Sequence, residues 1–193
     1  MENDDPGGYK ASMLRGDRIG LRARRAPDVP LLHAELYDDV TTRSQADSRP
    51  WRPIPHASPH SPYAMADPTD DVAHFSVVQL TDDELAGEAL LWQIDPHNRV
   101  AHLGLALRPA FRGHGLGTDV VRVLCHYGFL VRGMHRLQLE TLTSNTAMIH
   151  AAHRAGFRLE GTLRGAAWVL GDFEDVAVLG LLAAERTVTD PAA

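Results

Sequence analysis

From Val100 to Leu107 the chain alternates with a period of two: Leu103, Leu105 and Leu107 fall on one face of a strand, His102, Gly104 and Ala106 on the other. The first face packs. The second is nearly bare, and its only sizeable side chain is an imidazole, which predicts a groove along which a ligand can lie. Beyond a glycine turn the period becomes helical from about Thr118, with Val120, Leu124, Tyr127 and Val131 at i, i+4, i+7 and i+11 forming a core-facing stripe. His135 to Leu142 returns to alternation, with Leu137, Leu139 and Thr141 on one face, and should lie parallel to the central strand across a right-handed crossover.

The same patterning predicts the flanking elements. Arg18 to Arg24 reads as a first strand, and Pro27-Asp28 opens a helix through Leu31, Leu32, Leu36 and Tyr37. Phe75 to Leu80 and Ala86 to Ile94 form a hairpin around Thr81–Glu84, and Pro96-His97-Asn98 turns the chain into the central strand. Ser144 caps a helix that runs to Ala155 and stops at Gly156. Phe157 to Arg164 and Phe173 to Ala184 close the chain as a hairpin through Leu170-Gly171-Asp172. The expected fold is α/β (α+β), a mixed and mostly antiparallel sheet of about six or seven strands flanked by helices.

Composition narrows the class. The chain has 193 residues, 44% of them hydrophobic and 23% charged, which suits one globular domain over residues 14–186 with loose tails at 1–13 and 187–193. A formal net charge of −6 and the lack of any Lys/Arg run argue against a nucleic-acid or acidic-membrane surface. Cys125 is the only cysteine, so no disulfide framework or Cys-x-x-Cys metal site exists, as in a reducing compartment. The N-terminus lacks the features of a signal peptide, and the longest apolar run, Val176 to Ala184, is too short to span a bilayer, so a cytoplasmic location is expected.

The turn after the central strand carries the candidate chemistry. Arg112, Gly113, His114, Gly115, Leu116, Gly117 and Thr118 lead into a helix whose first N–H groups lack intrahelical acceptors and whose dipole end is positive. Glycines allow several N–H groups to converge on one anion, and Arg112 adds a bidentate phosphate donor. A plain glycine-rich helix start is the alternative. A Walker loop is excluded because Gly117-Thr118-Asp119 lacks its lysine. A dinucleotide fingerprint, with Glu140 as its acidic residue, fits less well, since the spacing is G-x-G-x-G and no βαβ alternation precedes it.

Arg112, Gly115 and Gly117 match, position for position, the Arg/Gln-x-x-Gly-x-Gly/Ala turn of the GNAT N-acetyltransferases. Asn145, Ile149, Arg154, Gly156 and Phe157 resemble that superfamily's downstream helix, and Glu160-Gly161, Arg164, Gly171, Asp172, Asp175 and Glu185 resemble the tail of the ribosomal-protein N-terminal acetyltransferase branch. The resemblance covers roughly residues 14 to 186. It implies acetyl-CoA as cosubstrate, held by Leu105, Ala106 and Leu107, by the turn Arg112–Thr118 and by Asn145, with no metal. It also implies an amine acceptor, either a protein N-terminus or a small molecule. A non-catalytic acyl-CoA-binding module, or a transferase taking a longer donor such as succinyl-CoA, remains the alternative. A homodimer would follow if the last hairpin exposes apolar surface.

Two departures from that branch bear on mechanism. His102 stands where relatives commonly carry a glutamate base; imidazole titrates at about 6.5 and can accept a proton at neutral pH, although a structural histidine is the other reading. Relatives place a hydroxyl acid at the Ala152 or Met148 position, and neither exists here, so the leaving thiolate takes its proton from water or from charged His102. Residues 43–68 contain six prolines, interleaved with Trp51, Tyr63, His56 and His60. Such a segment cannot form regular structure and reads as a lid over the acceptor site or as a mobile linker. In the resembled branch it borders the acceptor pocket, which makes Trp51 and Tyr63 substrate-binding candidates. His56 and His60 lack a further ligand for a metal.

Overall fold

The computed structural model describes residues 13–46, 49–65 and 67–186. The expected tails, apart from Met13, and residues 47, 48 and 66 of the proline-rich segment lie outside the described residues. In chain order the elements are β1 (Met13–Arg15), β2 (Ile19–Arg22), α1 (Asp28–Leu36), α2 (Val40–Ala46), β3 (Ala73–Gln79), β4 (Leu85–Asp95), β5 (Val100–Leu107), α3 (Leu116–His126), β6 (Arg136–Leu142), α4 (Thr146–Arg154), β7 (Arg158–Val169) and β8 (Asp172–Leu182). The strands form one sheet in the order β1-β2-β3-β4-β5-β6-β8-β7, with β5 and β6 its only parallel pair among the described residues. This is the mixed, mostly antiparallel sheet expected, with eight strands rather than six or seven. The addition is β1, which at three residues is too short to show alternation.

The β5–α3–β6 crossover decides the architecture. Leu103 on β5, Val120 and Leu124 on α3, Leu137 and Leu139 on β6 and Ala152 on α4 are buried together, so both helices seal one face of the sheet. The predicted stripe on α3 ends early, because Tyr127–Val131 winds as a π turn. Its wider winding breaks the 3.6-residue spacing and leaves Val131 at 59% exposure, not in the core. At α4 the cap is Asn145 and not Ser144: the Asn145 side chain accepts the Met148 N–H at 3.1 Å, whereas Ser144 Oγ donates to Glu174.

The opposite face carries a second apolar cluster of Leu32, Leu36, Tyr37, Tyr63 and Leu85, against which Trp51, Ile54 and Ala106 pack. The proline-rich segment supplies part of that cluster, which sets aside its reading as a mobile linker. It is bolted to α1 by three side-chain contacts. Trp51 Nε1–H donates to the Tyr37 carbonyl, the Tyr37 hydroxyl donates to the Arg52 carbonyl at 2.8 Å, and buried His33 Nδ1 lies 2.9 Å from Ser61 Oγ. Proline removes donors from a ladder, but does not prevent aromatic rings from burying their area. The segment's start is also helical, since α2 runs on to Ala46.

Candidate functional site

β5 pairs with β4 along nearly its whole length, yet with β6 only at Val100, Ala101 and His102. The Arg108 N–H bonds the Ala86 carbonyl of β4, so by strand alternation Ala106 and Gly104 also turn their backbone groups toward β4. The N–H and C=O groups of Leu103, Leu105 and Leu107 therefore point at the opening between β5 and β6. This wedge, with His102 at its vertex, is a slot lined by backbone donors and acceptors. Of the three strand residues expected to hold a ligand, Leu105 offers its N–H and carbonyl to the slot, Leu107 its N–H alone because its carbonyl accepts from Arg112, and Ala106 neither.

The glycine turn stands at the open end of the wedge. Gly113 and Gly115 have φ of 76° and 78°, the left-handed region that favours glycine, and the space where a Cβ would sit on either is empty to 4 Å. No side chain caps the N-terminus of α3, whose N-cap is Gly115. Its orphan donors and positive dipole end stand beside the open space at Gly113 and Gly115, which suits a phosphate group. Arg112 folds back so that Nε–H donates to the Leu107 carbonyl at 2.8 Å, tying the turn to β5. Leu116 is buried and anchors the helix start, Gly117 faces Ala151 of α4, and Thr118 continues the first turn. His114 presents its carbonyl to Arg18 Nη1 at 2.6 Å. The Asn145 side-chain amide is spent on the Met148 N–H, which it accepts, and on Thr141 Oγ1, to which it donates.

His102 is not on a bare face, as the alternation suggested. Its ring lies 4.7 Å from that of Trp92, its cross-strand partner, and Leu90 covers Gly104 from the same strand. Burial pushes the imidazole below its ordinary range, Glu140 pulls it up and Arg136 pushes it down, so the surroundings favour the neutral ring. Nδ1 is buried without a hydrogen-bond partner, which leaves Nε2 as the nitrogen able to exchange a proton. A cavity of about 410 Å³ opens beside it, lined by Gln93, Asp95, Asn98, Val100 and His102. The Asp95 carboxylate is held below its usual range by the Asn98 backbone and side chain and the His97 N–H, so it is a fixed negative charge at that mouth.

The two aromatic candidates of the proline-rich segment sit elsewhere. Tyr63 is 1% exposed and serves the second core from within. Trp51 is partly exposed but lines neither the cavity at His102 nor a second one of about 480 Å³ between α1 and the loop, which includes Val29, Pro30, His56 and Met65. Met148 and Ala152 offer no hydroxyl on α4. Among the described residues no group of three or more His, Cys, Asp or Glu is arranged to hold a metal ion. Trp92 was the residue missed: it ends the unbroken ladder that begins at Gly87 opposite Leu107, and the register shift between Trp92 and Asp95 hides that pairing from a count made from the hairpin turn.

Residues 18–158 match the acetyltransferase (GNAT) domain family. A probable N-acetyltransferase of Bacillus subtilis, YjcK, is 32% identical over 114 residues, which is 58% of this chain and 63% of that protein. The chain spans about half to two thirds of the length of the curated relatives it matches. Its fold is shared with the spermidine N-acetyltransferase of Vibrio cholerae in complex with CoA and spermine (TM-score 0.73, 19% identity, 86% of this chain and 96% of that one). It is also shared with RimL, a ribosomal L7/L12 α-N-protein acetyltransferase in complex with coenzyme A (TM-score 0.73, 21% identity, 89% and 98%).

Proposed function

We propose that this chain, which belongs to the acetyltransferase (GNAT) family, transfers an acetyl group from acetyl-CoA to a primary amine. The observation that supports this best is the wedge between β5 and β6, where backbone groups of Leu105 and Leu107 open toward an uncapped, glycine-started helix. The fit is specific: an extended arm with amide groups can pair with the strand edge, and a pyrophosphate can sit over Gly113 and Gly115 with Arg112 beside it. Acetyl-CoA supplies the acyl group as an activated thioester.

The chain's own residues do the rest. Leu105 and Leu107 orient the donor along β5, the N-terminus of α3 neutralises phosphate charge, and the backbone N–H of Leu103 points where carbonyl charge develops. Neutral His102 Nε2 accepts the proton that the attacking amine must lose, directly or through water in the adjoining cavity. Neither Met148 nor Ala152 of α4 offers a hydroxyl acid, so the departing sulfur takes its proton from water or from the imidazolium at His102.

For the acceptor, the fixed carboxylate of Asp95 and the neutral Gln93 and Asn98 at the cavity mouth favour a cationic or amine-bearing group over an anion. Protein N-termini and polyamines both satisfy this, and the described relatives include both kinds. Exposed Leu159, Leu163, Trp168, Leu170 and Phe173 on the β7–β8 hairpin support self-association as a homodimer. Buried Cys125 and the lack, among the described residues, of a helix long and apolar enough to cross a membrane fit a cytoplasmic place of action.

The test is thiol release from acetyl-CoA against a panel of N-terminal peptides, polyamines and amino sugars, beside calorimetry with CoA. Acetylation of one class with saturable CoA binding supports the proposal. CoA binding with no turnover of any amine points instead to a non-catalytic acyl-CoA module, and turnover faster with succinyl-CoA to a longer donor.

A further inference from the structure

We infer that Trp92 is a positioning residue for His102: its indole lies across the imidazole, holds that ring in one orientation at the vertex of the β5–β6 wedge and keeps water from one of its faces. The inference rests on the reading of His102 as the proton acceptor. Trp92 and His102 are directly opposed on adjacent antiparallel strands, with ring centroids 4.7 Å apart and planes at 46°. A tilted, offset contact of this kind is the geometry aromatic rings prefer.

The backbone is built to deliver that contact. Counting back from the turn at Pro96-His97-Asn98, where Asp95 faces Val100, an unbroken ladder would set Gln93 opposite His102. Instead the register shifts between Trp92 and Asp95, and Gln93 adopts φ of 47°, a conformation unfavourable for a residue with a side chain. The shift replaces an amide with an indole as the partner of His102 and sends Gln93 to the wall of the cavity beside it. The indole also reaches along the face, since its Nε1 lies 3.9 Å from where a Cβ on Gly104 would stand. The closest neighbour at Gly104 is Leu90 of the same strand as Trp92, 3.2 Å from that Cβ position, so β4 side chains cover this face of β5.

The electrostatic surroundings agree. Among the described residues, the charged groups acting on His102 are Glu140 and Arg136 of β6, which oppose each other, with Asp95 at the cavity mouth. Burial is the largest influence on the ring, and Trp92 is the aromatic side chain of β4 in contact with it.

The test replaces Trp92 by Leu, which keeps apolar bulk without a ring, and by Phe, which keeps a smaller ring. His102 is followed by NMR titration of its imidazole, assigned by the signal lost in His102→Gln. Trp92→Leu should raise the His102 midpoint by about half a unit or more toward its ordinary value, with Trp92→Phe between Leu and wild type. The acidic limb of kcat, measured with whichever amine the acceptor panel returns, should move up by the same amount, while KM for acetyl-CoA holds. An unmoved midpoint in Trp92→Leu overturns the inference, and if that variant does not fold, an unmoved midpoint in Trp92→Phe does so. A midpoint that moves without the kinetic limb supports the role of Trp92 and removes His102 as the base, so the two readings fail separately.

Discussion

The Asp119 carboxylate, in the first turn of α3, accepts the backbone N–H of Arg18 at 2.8 Å, and the Arg18 side chain donates in turn to the His114 carbonyl in the glycine turn. Asp119 also takes the N–H groups of Asp17 and Ile19, so one carboxylate gathers three donors from the β1–β2 turn. A negative charge so near the phosphate-seeking end of a helix would repel its ligand if it were free. Spent on three N–H groups, it instead fastens the turn that steadies the glycine loop.

Asp119→Ala should therefore cost about 2–4 kcal/mol in urea unfolding, because it strands several part-buried donors at once. Asp119→Asn should do little better, since its amide nitrogen would face a donor. Calorimetry gives the sharper reading. Loss of the charge alone predicts tighter CoA binding, whereas loss of the Arg18 clamp on His114 predicts weaker binding. We expect weaker binding, with Arg18→Ala sharing the affinity loss at little cost in stability.

Stability should fall at low pH through Asp28, which is buried with Arg22 and bonded to Arg22, to the Arg25 N–H and to Ser76. Burial alone would raise its carboxyl, but those hydrogen bonds and the Arg22 charge outweigh it and hold the group at about 2. Because the folded value lies below the unfolded one, the contribution is full above about pH 4 and is lost as pH falls toward 2. It is worth about 2 kcal/mol. Urea midpoints between pH 5 and 2 should drop less steeply in Asp28→Asn than in wild type. An equal slope would show that other carboxylates carry the acid sensitivity.

The part of this fold most legible in the sequence was the run from Val100 through the glycine turn, because strict alternation followed by Gly113, Gly115 and Gly117 constrains backbone conformation directly. The wedge was not legible from spacing: Leu105 alternates identically whether or not β6 pairs beside it. Trp92 stayed hidden for a related reason, since a one-residue shift in register changes every cross-strand partner without changing composition. Tyr63 misled because proline density speaks to hydrogen-bonded ladders and not to burial. Val131 misled because a π turn rotates the helix face after Tyr127.

Trp51 and Tyr63 should separate in their effects. Tyr63→Ala removes a ring from the second core and should cost about 3–5 kcal/mol in unfolding. Trp51 is only partly buried and joins the loop to Tyr37 by one hydrogen bond. If the loop helps select the acceptor, Trp51→Ala should raise KM for the amine several-fold and leave CoA affinity nearly unchanged. Equal losses for both ligands would assign Trp51 to folding.

His102 carries the heaviest expectation, because its side chain stands at the vertex of the wedge with only Nε2 free to exchange a proton. As the base it must be neutral, and its folded value lies below the ordinary imidazole value, so activity should hold at pH 7 and fall on an acidic limb below about 6.5. His102→Ala should lower kcat by about 10² to 10⁴, with acetyl-CoA affinity nearly unchanged. His102→Glu should restore part of the rate. Its limb should sit above the ordinary carboxylate value, because burial raises a carboxyl and Glu140 repels its charge, with Arg136 opposing both. A structural histidine predicts something else: lower melting temperature in both variants and no movement of the limb. Wild-type kcat in His102→Ala would leave water in the cavity at Gln93 and Asp95 as the proton acceptor.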